Sequence, residues 1–252
     1  MHVLIVHCHP EPRSFNAGLT ETAALALRGE GHSVEIADLY AEGFDPVEGP
    51  AHYRDRLDPD TFSIQGEQRH ASEAGSLPDD VRREIERLDR ADLLIVQFPI
   101  WWHNQPAMLK GWFDRVLVYG GMYTGSRRYD RGRYRGRRAI CAVTAGAPEA
   151  TFSRHGRSGP LDLVLWPIHY SLHYMGYGVL APFTAYGIQS GGGIAYEDDG
   201  PFRGRLERIK ADWAERLKRL DDEETLPFAG WADMDERGVV RPGSARSIVP
   251  GW

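Results

Sequence analysis

The sequence predicts an α/β fold, a parallel sheet with helices on both faces, and three observations carry that reading. Short, unbroken apolar runs rich in β-branched residues recur along the chain. Segments with apolar residues at helical spacing stand between them, and Gly, Pro and Asp separate the two kinds. A run that is apolar at every position is a strand covered on both sides, and strands alternating with helices build βαβ units with right-handed crossovers.

Taken in order, residues 2–7 (HVLIVH) form the first strand. From Asn16 the spacing of Leu19, Ala23, Ala26 and Leu27 predicts a helix, which Gly29 and Gly31 stop. Residues 33–39 are a second strand. Residues 40–76 carry Pro46, Pro50 and Pro59 and no clean period, so they read as a long loop of functional or wrapping character. Leu77-Pro78-Asp79 opens a helix to about Arg90, with Val81, Ile85 and Leu88 on one side. Residues 91–98 are the third strand, ended by Pro99. Pro106 takes a first helical position ahead of Met108, Leu109, Trp112, Phe113, Val116 and Leu117. Residues 139–144 are the fourth strand, 161–175 an apolar helix, 177–186 the fifth strand and 205–220 the last helix. One domain over 1–220 follows, with an irregular extension over 221–252 whose Phe228, Trp231 and Trp252 suit packing against the domain or a partner.

With 252 residues, 42% of them hydrophobic, the chain is long enough to bury a full core. A net charge of −6 argues against a nucleic-acid partner, because phosphate backbones are bound by positive surfaces. The basic run from Arg127 to Arg138 reads as a solvated or rim-forming loop. Cys8 and Cys141 both fall inside strand-like runs, which suits buried reduced thiols and a cytoplasmic setting. The opening MHVLIVHCHP is too short for a membrane span and lacks the basic flank of a signal peptide, so a soluble protein without membrane insertion is expected. His169 and His173 stand four apart on a predicted helix, but among Leu, Trp and Tyr and without a third ligand they read as packed imidazoles, so no metal is expected.

In an open parallel sheet, ligands bind outside the carboxyl ends of the strands. Three loops there are unusual. The first, HPEPRSFN, leads straight into a helix whose unpaired N–H groups and positive dipole end make a phosphate site, to which Ser14, Asn16 and Arg13 can add; in the alternative reading Ser14 and Asn16 only cap the helix. It is neither a P-loop nor a G-x-G-x-x-G turn. The second, PIWWHNQP, puts Trp101, Trp102 and His103 where a flat ring could stack. The third, TAGAP, offers small residues that let backbone N–H groups approach a ligand edge.

HPEPRSFN, QFPIWWHNQPAMLKGWFDRV, TAGAPEATF and VLWPIHYSLHYMGYGVL together resemble the NAD(P)H:quinone oxidoreductases of flavodoxin-like fold, in order from the first strand to about Trp213 and weakly into DEETLPF. The resemblance implies a flavodoxin-like, doubly wound five-stranded parallel sheet, a homodimer, FAD in preference to FMN, and NADH or NADPH as co-substrate. It implies two-electron, ping-pong reduction of a quinone or another small flat aromatic acceptor; a flavin-binding regulatory subunit of a transporter and an azo- or nitro-compound reductase are the alternatives. His9, Arg13, Ser14, Phe15, Asn16 and Gly18 match the family's flavin phosphate loop, with Arg13 replacing a commoner Thr. Pro99, Ile100, Trp101, Trp102 and His103 match the loop along the isoalloxazine, with Trp101 and His103 replacing Gln and Phe. Thr144, Ala145, Gly146 and Ala147 match the loop at the pyrimidine edge. Tyr123 matches an acceptor-pocket Tyr, while Gly125 stands where a second is expected. Phe152, at the pocket wall, and Ser158 replace the Tyr and His that manage charge on the reduced flavin; His155 nearby is a candidate substitute.

Overall fold

The computed structural model describes residues 1–189 and 200–250. Six strands form one sheet: β1 (His2–His7), β2 (Ser33–Asp38), β3 (Leu93–Pro99), β4 (Arg138–Ala145), β5 (Gly178–Val179) and β6 (Phe183–Tyr186). Their order is β2-β1-β3-β4-β5, β6 also pairs with β4, and every pairing is parallel. The chain steps outward from β1 to β2 and then returns to the far side of β1 with β3. The neighbouring β1 and β3 are therefore the point where the winding reverses, the place at which such sheets bind ligands.

Alternation along β1 divides the core. Val3 and Ile5 face α1 (Phe15–Gly29) and α6 (Gly200–Leu217), where they meet Leu19, Ala23 and Trp213. Leu4 and Val6 face the opposite layer, built from α3 (Asp79–Arg90), α4 (Ala107–Val116) and α5 (Leu161–Tyr174). All four are fully buried, and each contributes roughly 1.5–3 kcal/mol by leaving water. This two-sided burial is why the run shows no alternation in sequence.

Two elements differ from the sequence reading. The single strand expected over 177–186 is two short strands, because Pro182 between them has no N–H to give a ladder. Both lie along β4, β5 beside Arg138 and Ala139 and β6 beside residues 142–145, so the fifth position of the sheet is filled twice. Within the expected loop lies a helix, α2 (Ile64–Ala74), capped by Ser63, which accepts from the Gly66 N–H, and ended by Gly75 at φ 67°. Its buried residues are Glu67, Gln68 and Ala71. Glu67 accepts from the Arg56 side chain at 2.6 Å and from the Leu57 N–H at 2.8 Å, and Gln68 donates to Glu48 and to the Asp114 carbonyl. A helix that packs through polar side chains leaves no apolar period to read.

The basic run is spent locally, on Asp89 (Arg133), the Leu88 carbonyl (Arg137), the Leu220 and Glu223 carbonyls (Arg138) and a cage of Tyr129, Tyr174 and Trp231 rings (Arg128). The C-terminal segment packs over α5. There Phe228 stacks on His173, whose Nε2 pairs with the Ala229 carbonyl at 3.0 Å, and Trp231 meets Tyr129 edge-on. Trp252 lies outside the described residues. His169 is buried in the α5 layer, and burial alone depresses its pKa to about 4. Among the described residues, no helix is long and apolar enough to cross a membrane.

Candidate functional site

The exits of β1, β3 and β4 open onto one cavity of about 560 Å³. A buried hydrogen-bond chain forms its floor. Gln97 at the end of β3 donates from Nε2 to Asn16 Oδ1 at 3.0 Å, and Asn16 donates from Nδ2 to Thr144 Oγ1 at 2.8 Å. One side chain at the start of α1 thus ties that helix to the ends of β3 and β4. Asn16 is buried in the cavity floor, and its carboxamide is a brace.

Ser14 has extended backbone and its hydroxyl accepts from the Ala17 N–H, so it is the N-cap of α1. The cap consumes one of the unpaired first-turn donors and leaves the others at the cavity rim, together with the positive end of the helix dipole. Arg13 is exposed and paired with Glu11, Nε to Oε1 at 3.0 Å, and this hydrogen bond holds the Glu11 carboxyl below its ordinary range. The Arg13 charge is therefore shared with a carboxylate of its own loop. His9 Nδ1 accepts from the Glu11 N–H at 3.0 Å, which leaves the ring proton on Nε2; burial pulls its pKa down. Its ring meets Trp101 edge-on at 5.8 Å.

The second loop is a two-residue hairpin. Trp101 and Asn104 exchange both backbone hydrogen bonds at 3.0 Å, and the residues between them, Trp102 and His103, have φ of 51° and 58°. Those positions favour Asn-Gly, and bulky residues there store roughly 1–3 kcal/mol of strain each. Pro99, Ile100 and Trp101 line the cavity, whereas Trp102 is 96% exposed at the tip beside an exposed His103. Of the two adjacent indoles, only the first forms a wall.

On the third side Thr144 and Gly146 line the cavity. The segment after β6 is stitched to this loop, Gly187 N–H to the Ala147 carbonyl at 2.9 Å and Ile188 N–H to the Ala145 carbonyl at 3.2 Å. It brings Ile188 and Gln189 into the lining, two residues that a search of the loops after the first, third and fourth strands misses. A Cβ on Gly146 would stand 2.6 Å from Gln189 Oε1, so the Gln189 side chain lies directly over the glycine and would have to swing aside for a larger residue. Phe152 packs against Tyr186, ring centroids 5.5 Å apart. Ser158 is bound to Thr151 through both its hydroxyl and its N–H, and His155 is exposed in the same loop. None of these three lines the cavity.

A second cavity of about 710 Å³ shares Arg13, Ser14 and Phe15 with the first and continues past Gly18 to Leu206 and Lys210 of α6 and to Asp38. Tyr123 lines a third, of about 540 Å³, between α2, α4 and α5, and meets Tyr174 edge-on at 5.4 Å.

Residues 1–200 match the family described as flavodoxin-like fold. The chain is 38% identical over 228 residues to NAD(P)H dehydrogenase [quinone] 1 of Cavia porcellus, covering 90% of this chain and 79% of that one. Among solved structures it is similar to a candidate quinone reductase from Klebsiella pneumoniae, with a TM-score of 0.87, 33% identity and coverage of 98% and 96%. It is also similar to the NAD(P)H:quinone oxidoreductase from Methanothermobacter marburgensis, with a TM-score of 0.62, 30% identity and coverage of 86% and 96%. By the family match over residues 1–200 and the identity to these relatives, the chain belongs to the flavodoxin-like fold family, among the NAD(P)H dehydrogenase (quinone) oxidoreductases.

Proposed function

We propose that this protein is a flavin-dependent NAD(P)H oxidoreductase that reduces quinones or similar flat aromatic acceptors by two electrons. The observation that carries the reading is the cavity at the β1/β3 reversal, with a helix N-terminus at one rim and aromatic rings at another. The set fits a flavin. The rim N–H groups of α1 suit a phosphate, the Ile100–Trp101 wall suits a planar ring, and the small residues of 144–147 let backbone donors approach a ring edge. The chemistry a bound flavin supplies is a hydride relay from nicotinamide to acceptor, in two half-reactions. The residues of this chain hold and orient; Asn16 keeps the loops in register, and Trp101 and Ile100 exclude water from one face.

FAD is favoured over FMN because the second cavity continues the first along α1. It offers Lys210 where the second phosphate and nucleoside of a dinucleotide would run. The Tyr123 groove, with Ile64 exposed at its edge, supports a homodimer in which that face is covered. Two buried thiols, Cys8 and Cys141, suit a reducing cytoplasm. Purified protein given FAD is expected to turn yellow and to bleach within seconds of anaerobic mixing with NADH or NADPH. Protein that takes up no flavin refutes the proposal, and bound flavin that bleaches only over hours supports a non-enzymatic role instead.

A further inference from the structure

Nearly every polar side chain of the cavity is already engaged. Ser14 caps α1, Asn16 and Thr144 hold one another, and Arg13 is paired with Glu11. Several lining side chains keep hydrogen-bonding capacity, among them His9 at Nε2, Trp101 at its indole N–H, and Gln189, whose carboxamide has no hydrogen-bond partner among the described residues. His9 and Trp101 touch each other, so they form the aromatic side. Gln189 lies on the other side, against Gly146, on a backbone fastened to residues 145–147. The cavity is thus polarised, with rings toward β1 and β3 and an unspent carboxamide beside open backbone toward β4 and β6.

An isoalloxazine is polarised in the same way, with a methylated benzenoid end and a pyrimidine end whose C=O and N–H groups alternate. A carboxamide presents one acceptor and two donors from a single plane, the complement of such an imide edge. Phe152 and Ser158 offer nothing in its place: one is packed on Tyr186 and the other is bonded to Thr151. Resting on the flavin reading above, we propose that Gln189 is a specificity residue that reads the imide edge of the flavin's pyrimidine ring, a position that Gly146 keeps clear for it.

The test is a comparison of two ligands on two proteins. Wild type and Gln189→Ala are titrated with FAD and with FAD methylated at N3, following flavin fluorescence and visible absorption, and the melting temperatures of the ligand-free proteins are compared. Because N3-methylation removes one donor and obstructs the paired geometry, wild type is expected to prefer FAD by about tenfold, the worth of one such hydrogen bond. Gln189→Ala is expected to hold the two within about twofold and to melt with wild type, since its side chain supports nothing else. Equal discrimination by both proteins, or none by wild type, overturns the role of Gln189. Failure of wild type to bind FAD at all overturns the flavin reading beneath it.

Discussion

Asn16→Ala is the sharpest perturbation of the site, because one buried carboxamide joins α1 to the ends of β3 and β4. Asn16, Gln97 and Thr144 are all buried. Truncation removes the 3.0 Å bond from Gln97 and the 2.8 Å bond to Thr144. The Gln97 Oε1 already has no partner, so the mutant leaves that whole carboxamide unpaired in the interior. Two lost hydrogen bonds with one newly orphaned donor cost about 2–4 kcal/mol. For a chain of this length that lowers the melting temperature by roughly 5–15 °C. The assay is thermal and urea unfolding of wild type, Asn16→Ala, Thr144→Val and the double variant. The two single changes break the same Asn16–Thr144 bond, so their costs should not add, and a coupling of about 0.5–1.5 kcal/mol is expected. A melting point unchanged by Asn16→Ala, or strict additivity in the cycle, would refute the brace.

Three further outcomes follow from the same structure. Replacing Trp102 by Asn and His103 by Gly puts residues suited to positive φ at the hairpin tip, and should raise stability by about 1–2 kcal/mol in urea titrations; a loss would show that the tip is not strained. Lys210→Leu should weaken FAD several-fold while leaving FMN affinity unchanged in parallel titrations, and an equal effect on both flavins would separate the second cavity from the dinucleotide arm. His169 binds its proton less readily when folded (about 4) than when unfolded (6.5), so its contribution is present above pH 6.5 and lost as pH falls toward 4. Between pH 7 and 5 that loss is about 2 kcal/mol, and His169→Phe should flatten the wild-type decline in urea midpoint by that amount.

The sheet was legible because its central strands β1, β3 and β4 are buried on both faces, which turns topology into composition. The helices packed through Leu, Val and Ala were legible for the same reason. What escaped was polar. The α2 helix is held by Glu67 and Gln68, and neither carries a signal that distinguishes a buried hydrogen-bonding helix from a loop. The three ligand loops were found by their place after β1, β3 and β4, yet which side chains turn inward depends on backbone detail. Adjacent Trp101 and Trp102 part company only because Trp101 opens a two-residue hairpin and Trp102 sits at its tip. Gln189 went unnoticed because it follows the fifth strand position, whose exit reaches the cavity only through the hydrogen bonds of residues 187 and 188 to the third loop.

Phe152 and Ser158 show how packing constrains the chemistry. The loop that carries them is closed on itself: Thr151 accepts from the Ser158 N–H and hydroxyl, and a Cβ on Gly156 would stand 2.2 Å from the Thr151 carbonyl oxygen. Phe152 seals this loop against Tyr186 rather than turning to the cavity. None of the residues 149–160 lines the site, so no acid or base from that loop reaches the cavity. A reaction that depends on a proton delivered by this loop would stall here. Hydride transfer between stacked rings needs orientation, exclusion of water and hydrogen bonds at the ring edge, and no acid from the loop. The site retains those three provisions, in the Asn16 brace, the Ile100–Trp101 wall and the edge beside Gly146. A loop that brings no acid or base to the cavity and an Ile100–Trp101 wall that suits a flat ring are both compatible with the proposed hydride transfer.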